Sequence, residues 1–269
     1  MRNIDWRAAA RREARPLSEA EQAARAKRRE QAQAAQQRRE AETAAHEARR
    51  LRTAGGLWRV GVAIGGTASE TYLLARGIPI PAGGWPECLR HVDGLAYELD
   101  DRLTFPALLC RVEGVDGRGK SIWRVYLSTD GRDKAPVEKP KVGLAPARGG
   151  AVKLGGAAER VNLCEGIETA LAIWTLTEYR RPVWACLSTS GLIGIELPDE
   201  VKVVTIWPDG DHPIKRKGGG YVPAEPVGMK AARALTDRLK ANGIKVTINP
   251  VPKAATDYLD ALNAMRGAA

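Results

Sequence analysis

The chain has 269 residues, and its 42 Lys and Arg against 32 Asp and Glu give a formal net charge of +10. Such a length holds roughly one or two domains of about 100–200 residues each, and an apolar content of 44% is enough for a buried core. The basic balance favours polyanionic partners, either nucleic acid or an anionic membrane surface. Cys88, Cys110, Cys164 and Cys186 form no C-x2-C pair, and with only three His they exclude a zinc finger or ribbon and suggest no disulfide framework. Cys164 and Cys186 lie in apolar runs and read as small core residues. There is no apolar leader segment and no transmembrane-length apolar run. A soluble, cytoplasmic protein without a membrane partner is therefore expected.

Residues 1–54 are set apart as an Ala/Arg-rich helical arm. Residues 1–53 carry 14 Lys and Arg against eight Asp and Glu, so the charge is concentrated there. After Pro16 neither Pro nor Gly occurs until Gly55, and Ser18 with Glu21 matches a capping box. The composition predicts a helix over about 18–53. Its apolar positions are mostly Ala, so it lacks a wide hydrophobic stripe. It reads either as a solvated arm or as a basic arm laid along phosphates by Arg28, Arg29, Arg38, Arg39, Arg49 and Arg50.

Residues 55–150 read as a small α+β module. Glu70–Gly77 predicts a short helix that Gly77 ends. ALLCRVEG and SIWRVYLS flank a turn-rich stretch at 115–120 and predict a β-hairpin, with Arg124 and Tyr126 on one face. Residues 128–150 read as a basic loop. Residues 151–269 then alternate strands at 161–164, 183–187, 201–207 and 244–248 with helices to about Tyr179, over 228–242 and over 257–265. This alternation predicts a parallel α/β sheet flanked by helices.

Glu165 follows the first of these strands, and Asp209 and Asp211 follow a later one. Sites in open α/β sheets form at carboxyl ends of strands, so three acids can meet in one crevice. Such a cluster repels itself unless a cation neutralises it, and Mg2+ suits hard oxygen ligands while keeping water for phosphate contact. In an extended segment Asp209 and Asp211 point the same way. A D-x-D pair alone is more often simply solvated.

The combination LCEGIETALA at 163–172 with VVTIWPDGD at 203–211 resembles the Toprim domain, a Rossmann-like parallel sheet. It is most similar to the branch found in phage and plasmid primase-like proteins. YLLARGI, PALLCRVEGVDG, WRVYLSTDGRDKAPVEKPK and RGGAVKLG upstream resemble what precedes Toprim there. The resemblance implies that Glu165, Asp209 and Asp211 are catalytic and bind Mg2+ or Mn2+. Asp257 in KAATDYLDAL resembles the downstream acid of these proteins, although it also reads as a helix-start acid. Glu168 reads either as a further metal carboxylate or as an acid offsetting the helix dipole.

Three features depart from that family. Trp207-Pro208 stands where small residues are usual. Residues 212–227 form an insert whose Lys215, Arg216 and Lys217 read as a phosphate grip or as a plain basic loop. No zinc module and no Walker A motif is present. Lys120, Arg124, Lys134 and Arg148 read as a template or nucleotide groove, or as surface charge. Ser188–Gly191 reads as a strand–helix turn or as a source of hydroxyls near phosphate.

The resemblance implies a DNA primase-type nucleotidyltransferase of DNA replication in a phage or mobile element. It would act on single-stranded DNA or other nucleic acid with nucleoside triphosphates, beside a separate replicative helicase. A metal-dependent nuclease with the same site, or a catalytically degenerate nucleic-acid-binding protein, is the alternative.

Overall fold

A computed structural model describes residues 18–210, 214–215, 221–222, 226–252 and 255–267, with backbone alone at 214–215 and 221–222. The chain divides into compact units Met1–Ala48 and Arg49–Ala269. Helix α1 (Glu19–Val60) begins in the first and ends in the second. In the first unit the described residues are almost all exposed. The capping box forms as the sequence predicts: the Ser18 N–H donates to Glu21 Oε2 at 2.8 Å, and the Glu21 N–H to Ser18 Oγ at 3.3 Å.

Arg49–Ala269 opens with the end of α1. The helix runs through Gly55 and Gly56, seven residues past the predicted end. Ala54 is buried there, and Leu57 and Trp58 pack on a core cluster with Tyr97, Tyr126 and Leu109. Tertiary burial outweighs the roughly 1 kcal/mol that each helical Gly costs. Helix α2 (Ala68–Ala75) follows, capped by the Thr67 side chain.

The first sheet is antiparallel, in the order β1 (Leu89–Tyr97), β2 (Asp100–Glu113), β3 (Gly119–Tyr126), β4 (Lys141–Gly143). The predicted hairpin is β2–β3, pairing Leu109 with Arg124 and Cys110 with Trp123. Strand β4 falls in the stretch the sequence reads as a basic loop, and β1 in a stretch to which it assigns no element. Ser69 Oγ, His91 Nδ1 and His91 Nε2, Asp93 Oδ1 form a line at 2.8 and 3.0 Å. Ser69 and His91 are fully buried while the Asp93 side chain is fully exposed. That is the reverse of what an acyl-transfer triad requires, and the line serves only to pin α2 to β1.

The second sheet has the order β11 (Lys245–Ile248), β8 (Val203–Ile206), β6 (Arg160–Cys164), β7 (Val183–Ala185), β5 (Val152–Leu154). All neighbours are parallel except β5, which runs antiparallel to β7. Alternate side chains serve opposite faces. Val161 and Leu163 of β6, Trp184 of β7, and Val204 and Ile206 of β8 meet helices α4 (Thr189–Gly194) and α5 (Val227–Ala241). Cys164, Val183 and Ala185 point to the other face, where α3 (Ile167–Leu176) and α6 (Tyr258–Gly267) lie. That second core also takes in Tyr72 and Leu73 of α2 and Leu108 and Val125 of the first sheet. Each such fully buried side chain is worth about 1.5–3 kcal/mol.

Helix α3 stops at Leu176, short of the predicted Tyr179. Glu178 and Tyr179 take positive φ of 54° and 59°, and the Tyr179 ring meets Trp174 edge-on with centroids 5.0 Å apart. Among the described residues, no helix is long and apolar enough to cross a membrane.

Candidate functional site

Strands β6 and β8 are adjacent and parallel, with Leu163 opposite Ile206. Glu165 is the first residue after Cys164 on one of them. Asp209 follows the other by three residues. Both acids therefore stand at the carboxyl edge of neighbouring strands, and both are half-buried. A Cβ placed on Gly228, in the first turn of α5, would lie 2.6 Å from the Asp209 carbonyl oxygen and 3.4 Å from Glu165 Oε1. The missing Cβ lets α5 press onto both acids at once. Asp211 lies outside the described residues.

Hydroxyl groups from two further elements reach these carboxylates. Thr169 Oγ1, on the first turn of α3, donates to Asp209 Oδ1 at 3.5 Å. Thr189 Oγ1, at the start of α4, donates to Glu165 Oε2 at 2.8 Å. The sequence reads 188–191 as a turn or as hydroxyls near phosphate; the bond to Glu165, 24 residues away, is not visible there. The negative charge of the site is felt by its neighbours. Burial first, and then the nearby acids, hold the Cys164 and Cys186 thiols well above their ordinary range. Burial and Asp209 push the Tyr258 hydroxyl up to about 12.

Pro208 costs the sheet nothing. Strand β8 ends at Ile206, and the flanking donors are used: the Trp207 N–H donates to the Leu163 carbonyl at 2.8 Å and the Gly210 N–H to the Thr256 carbonyl at 2.9 Å. Trp207 turns inward, its ring N–H on Asn162 Oδ1 at 2.9 Å and its ring edge-on to Tyr258.

Glu168 occupies a different position from Glu165. Its carboxylate lies beneath α2 and β4, where Tyr72 Oη donates to Oε1 at 2.8 Å and Lys141 Nζ contacts both oxygens at 2.7 and 2.8 Å. Burial would raise this carboxyl, but the Lys141 ammonium and the hydrogen bonds from Lys141 and Tyr72 outweigh it and hold the group below its ordinary range. Asp257 starts α6, its Oδ1 accepting the Asp260 N–H at 2.9 Å, the geometry of an N-cap.

The basic residues are scattered among different roles. Arg124 is only 4% exposed, ion-paired to Glu98 and bonded to Tyr126 Oη at 3.2 Å. Lys120 Nζ donates to the Arg148 carbonyl at 2.8 Å, while the Arg148 side chain is exposed. Lys134 is half-buried, and burial and the neighbouring Lys141 lower its ammonium below the ordinary range. Lys215 is described by backbone alone, in the two-residue strand β9 (Ile214–Lys215), which pairs with β10 (Tyr221–Val222). Arg216 and Lys217 lie outside the described residues. Among the described residues no group of three or more His, Cys, Asp or Glu is gathered as a metal cluster.

Comparison with known proteins agrees with this architecture. Residues 160–268 match a family model described as Toprim domain, and that part of the chain is a Toprim domain. Residues 48–154 match a domain of unknown function, DUF7146. No curated protein matches the chain. Among solved structures, the primase fragment of the bacteriophage T7 primase-helicase is 14% identical with a TM-score of 0.42, over 65% of this chain and 62% of that one. The E. coli primase catalytic core is 13% identical with a TM-score of 0.44, over 80% and 75%. The zinc-binding and RNA polymerase domains of Aquifex aeolicus primase are 17% identical with a TM-score of 0.38, over 60% and 39%.

Proposed function

We propose that this Toprim domain holds Mg2+ or Mn2+ through Glu165, Asp209 and Asp211, and that the chain is a primase-like nucleotidyl transferase acting on nucleic acid. The observation that carries the reading is the placement of Glu165 and Asp209 at the carboxyl edge of two adjacent parallel strands, with the Glu165 carboxylate and the Asp209 backbone both against Gly228. The donor set fits the ion: it is carboxylate oxygen throughout, which suits a hard divalent cation. When bound, the ion supplies positive charge against phosphate oxygens.

The chain's own residues do the rest by position. Thr169 and Thr189 each donate to one of the acids. Gly228 admits the start of α5 against the Glu165 carboxylate and the Asp209 backbone. Burial, with the nearby acids, raises the Tyr258 hydroxyl and the Cys164 thiol and so favours their neutral forms. No separate general base is required, because positioning and charge stabilisation carry most of phosphoryl transfer.

Arg148, Lys120 and the basic segment 215–217 are the proposed contacts to nucleic-acid phosphates. Arg124 is enclosed and holds the first sheet together, and Lys134 is half-buried near the Glu168 pair. Single-stranded DNA, nucleoside triphosphates and a separate helicase are the partners this reading calls for.

Template-directed oligoribonucleotide synthesis on several single-stranded DNAs, with Mg2+ and with Mn2+, tests the reading. Synthesis that is lost in Glu165→Gln and in Asp209→Asn is the expected result. No synthesis under any condition overturns it, and metal-dependent cleavage lost in the same variants would establish a nuclease instead.

A further inference from the structure

Leu187 has a positive φ of 72°, a backbone state that a branched side chain rarely adopts. Non-glycine residues are held in such states where surrounding structure over-determines them, often at functional sites. One determinant leads directly to Glu165, and two fix the turn beside it. The Leu187 N–H donates to the Glu165 carbonyl at 2.7 Å, tying the turn to the residue after β6. Ser188 Oγ accepts the Gly191 N–H at 3.0 Å and caps the short helix α4. Gly191 lies so close to the Cys186 carbonyl that any Cβ there would collide with it. The outcome of this strained, tightly packed turn is the placement of one hydroxyl, Thr189 Oγ1, at 2.8 Å from Glu165 Oε2. The other carboxylate oxygen, Oε1, is the one on the Gly228 side, where Asp209 also stands.

We infer that Thr189 is a positioning residue: by holding Oε2, it keeps Oε1 of Glu165 on the Gly228 side, so that a divalent cation meets one defined oxygen of that carboxylate. The inference rests on the metal reading proposed above. Removing the hydroxyl takes one hydrogen bond from Oε2 and loosens a terminal torsion that is broad and roughly two-fold. Hydroxyls that orient metal-binding carboxylates contribute to affinity without touching the metal.

Titration calorimetry of the full chain with Mn2+, without nucleic acid, tests this. Thr189→Val keeps the shape and removes the hydroxyl, and Thr189→Ser keeps the hydroxyl. Binding is expected to weaken about ten-fold or more in Thr189→Val and to stay within about two-fold of wild type in Thr189→Ser. Equal affinity of wild type and Thr189→Val overturns the assignment, as does a Ser variant as weak as the Val variant. If wild type itself binds no Mn2+, the metal reading fails, and crystal structures of metal-free wild type and Thr189→Val decide the positioning. An unmoved Glu165 carboxylate in Thr189→Val overturns it, and one rotated away from Gly228 upholds it.

Discussion

Lys141 and Glu168 offer a perturbation whose two halves must differ. Their side chains are 31% and 7% exposed, respectively, and their charged atoms are 2.7 Å apart. Breaking a buried ion pair from one side costs about 3–5 kcal/mol when the survivor stays buried and charged. Lys141→Met leaves Glu168 enclosed with Tyr72 as its remaining donor, so a loss of about 3 kcal/mol is expected. Glu168→Gln leaves Lys141, which is one-third exposed and reaches water, and the amide oxygen still accepts from Tyr72 Oη. Its loss is expected to be about 1–2 kcal/mol. The double variant should lose less than the sum of the single losses, with a coupling of about 1–3 kcal/mol.

For a domain of this size a loss of about 3 kcal/mol lowers Tm by about 6–12 °C. The Glu168 carboxyl is held below its ordinary range in the fold. Its stabilising share is therefore complete above the unfolded value and is lost as pH falls through the folded one. In Lys141→Met burial is no longer opposed by the ammonium, only by hydrogen bonds such as that from Tyr72, and Glu168 takes up a proton at higher pH. The deficit of that variant should narrow between about pH 7 and about pH 5. Urea denaturation of the four proteins at both pH values measures this. Equal losses in the two single variants, or a Lys141→Met deficit that ignores pH, refutes the reasoning.

Two further substitutions separate site from scaffold. In Gly228→Ala the new methyl meets the Asp209 carbonyl at 2.6 Å. Mn2+ affinity should fall at least about ten-fold by calorimetry, while helix content by circular dichroism is unchanged, because Ala favours the helix. Arg124→Gln removes the enclosed partner of Glu98, which keeps Arg50 at 3.0 Å. Chemical denaturation should show a loss of about 2–3 kcal/mol, with the salt slope of DNA binding unchanged because no phosphate contact is removed.

The acids and their strands were legible because both are local. The short apolar runs that lead to Glu165 and toward Asp209 needed no knowledge of the rest of the chain, and neither did the capping box at Ser18. What escaped sequence reading depends on distant partners. Strand β1 reads LRHVDGLAY, with Gly94 and two register shifts against β2, and its pairing with β2 rather than its pattern makes it a strand. Arg124 looked like a surface base until Glu98, 26 residues earlier, enclosed it. Glu168 reads in the sequence as a helix-dipole acid or a metal carboxylate, and its partners Tyr72, 96 residues earlier, and Lys141, 27 residues earlier, are out of view there.

The same distinction bears on whether the site is retained or degenerate. A decayed site can keep its acids, since they sit at strand ends that the fold needs anyway. The hydroxyls that orient them have no such excuse. Thr169 and Thr189 come from two different helices, and the turn leading to Thr189 carries Leu187 in an unfavourable backbone state. Strain of about 1–3 kcal/mol is kept only where surrounding structure enforces it. Pro208, the departure that most suggested decay, lies beyond the end of β8 and leaves the hydrogen bonds on either side of it intact. Both acids of the proposed site thus accept hydroxyls from separate helices, and Mn2+ titration of the wild type decides between a working carboxylate site and a relic.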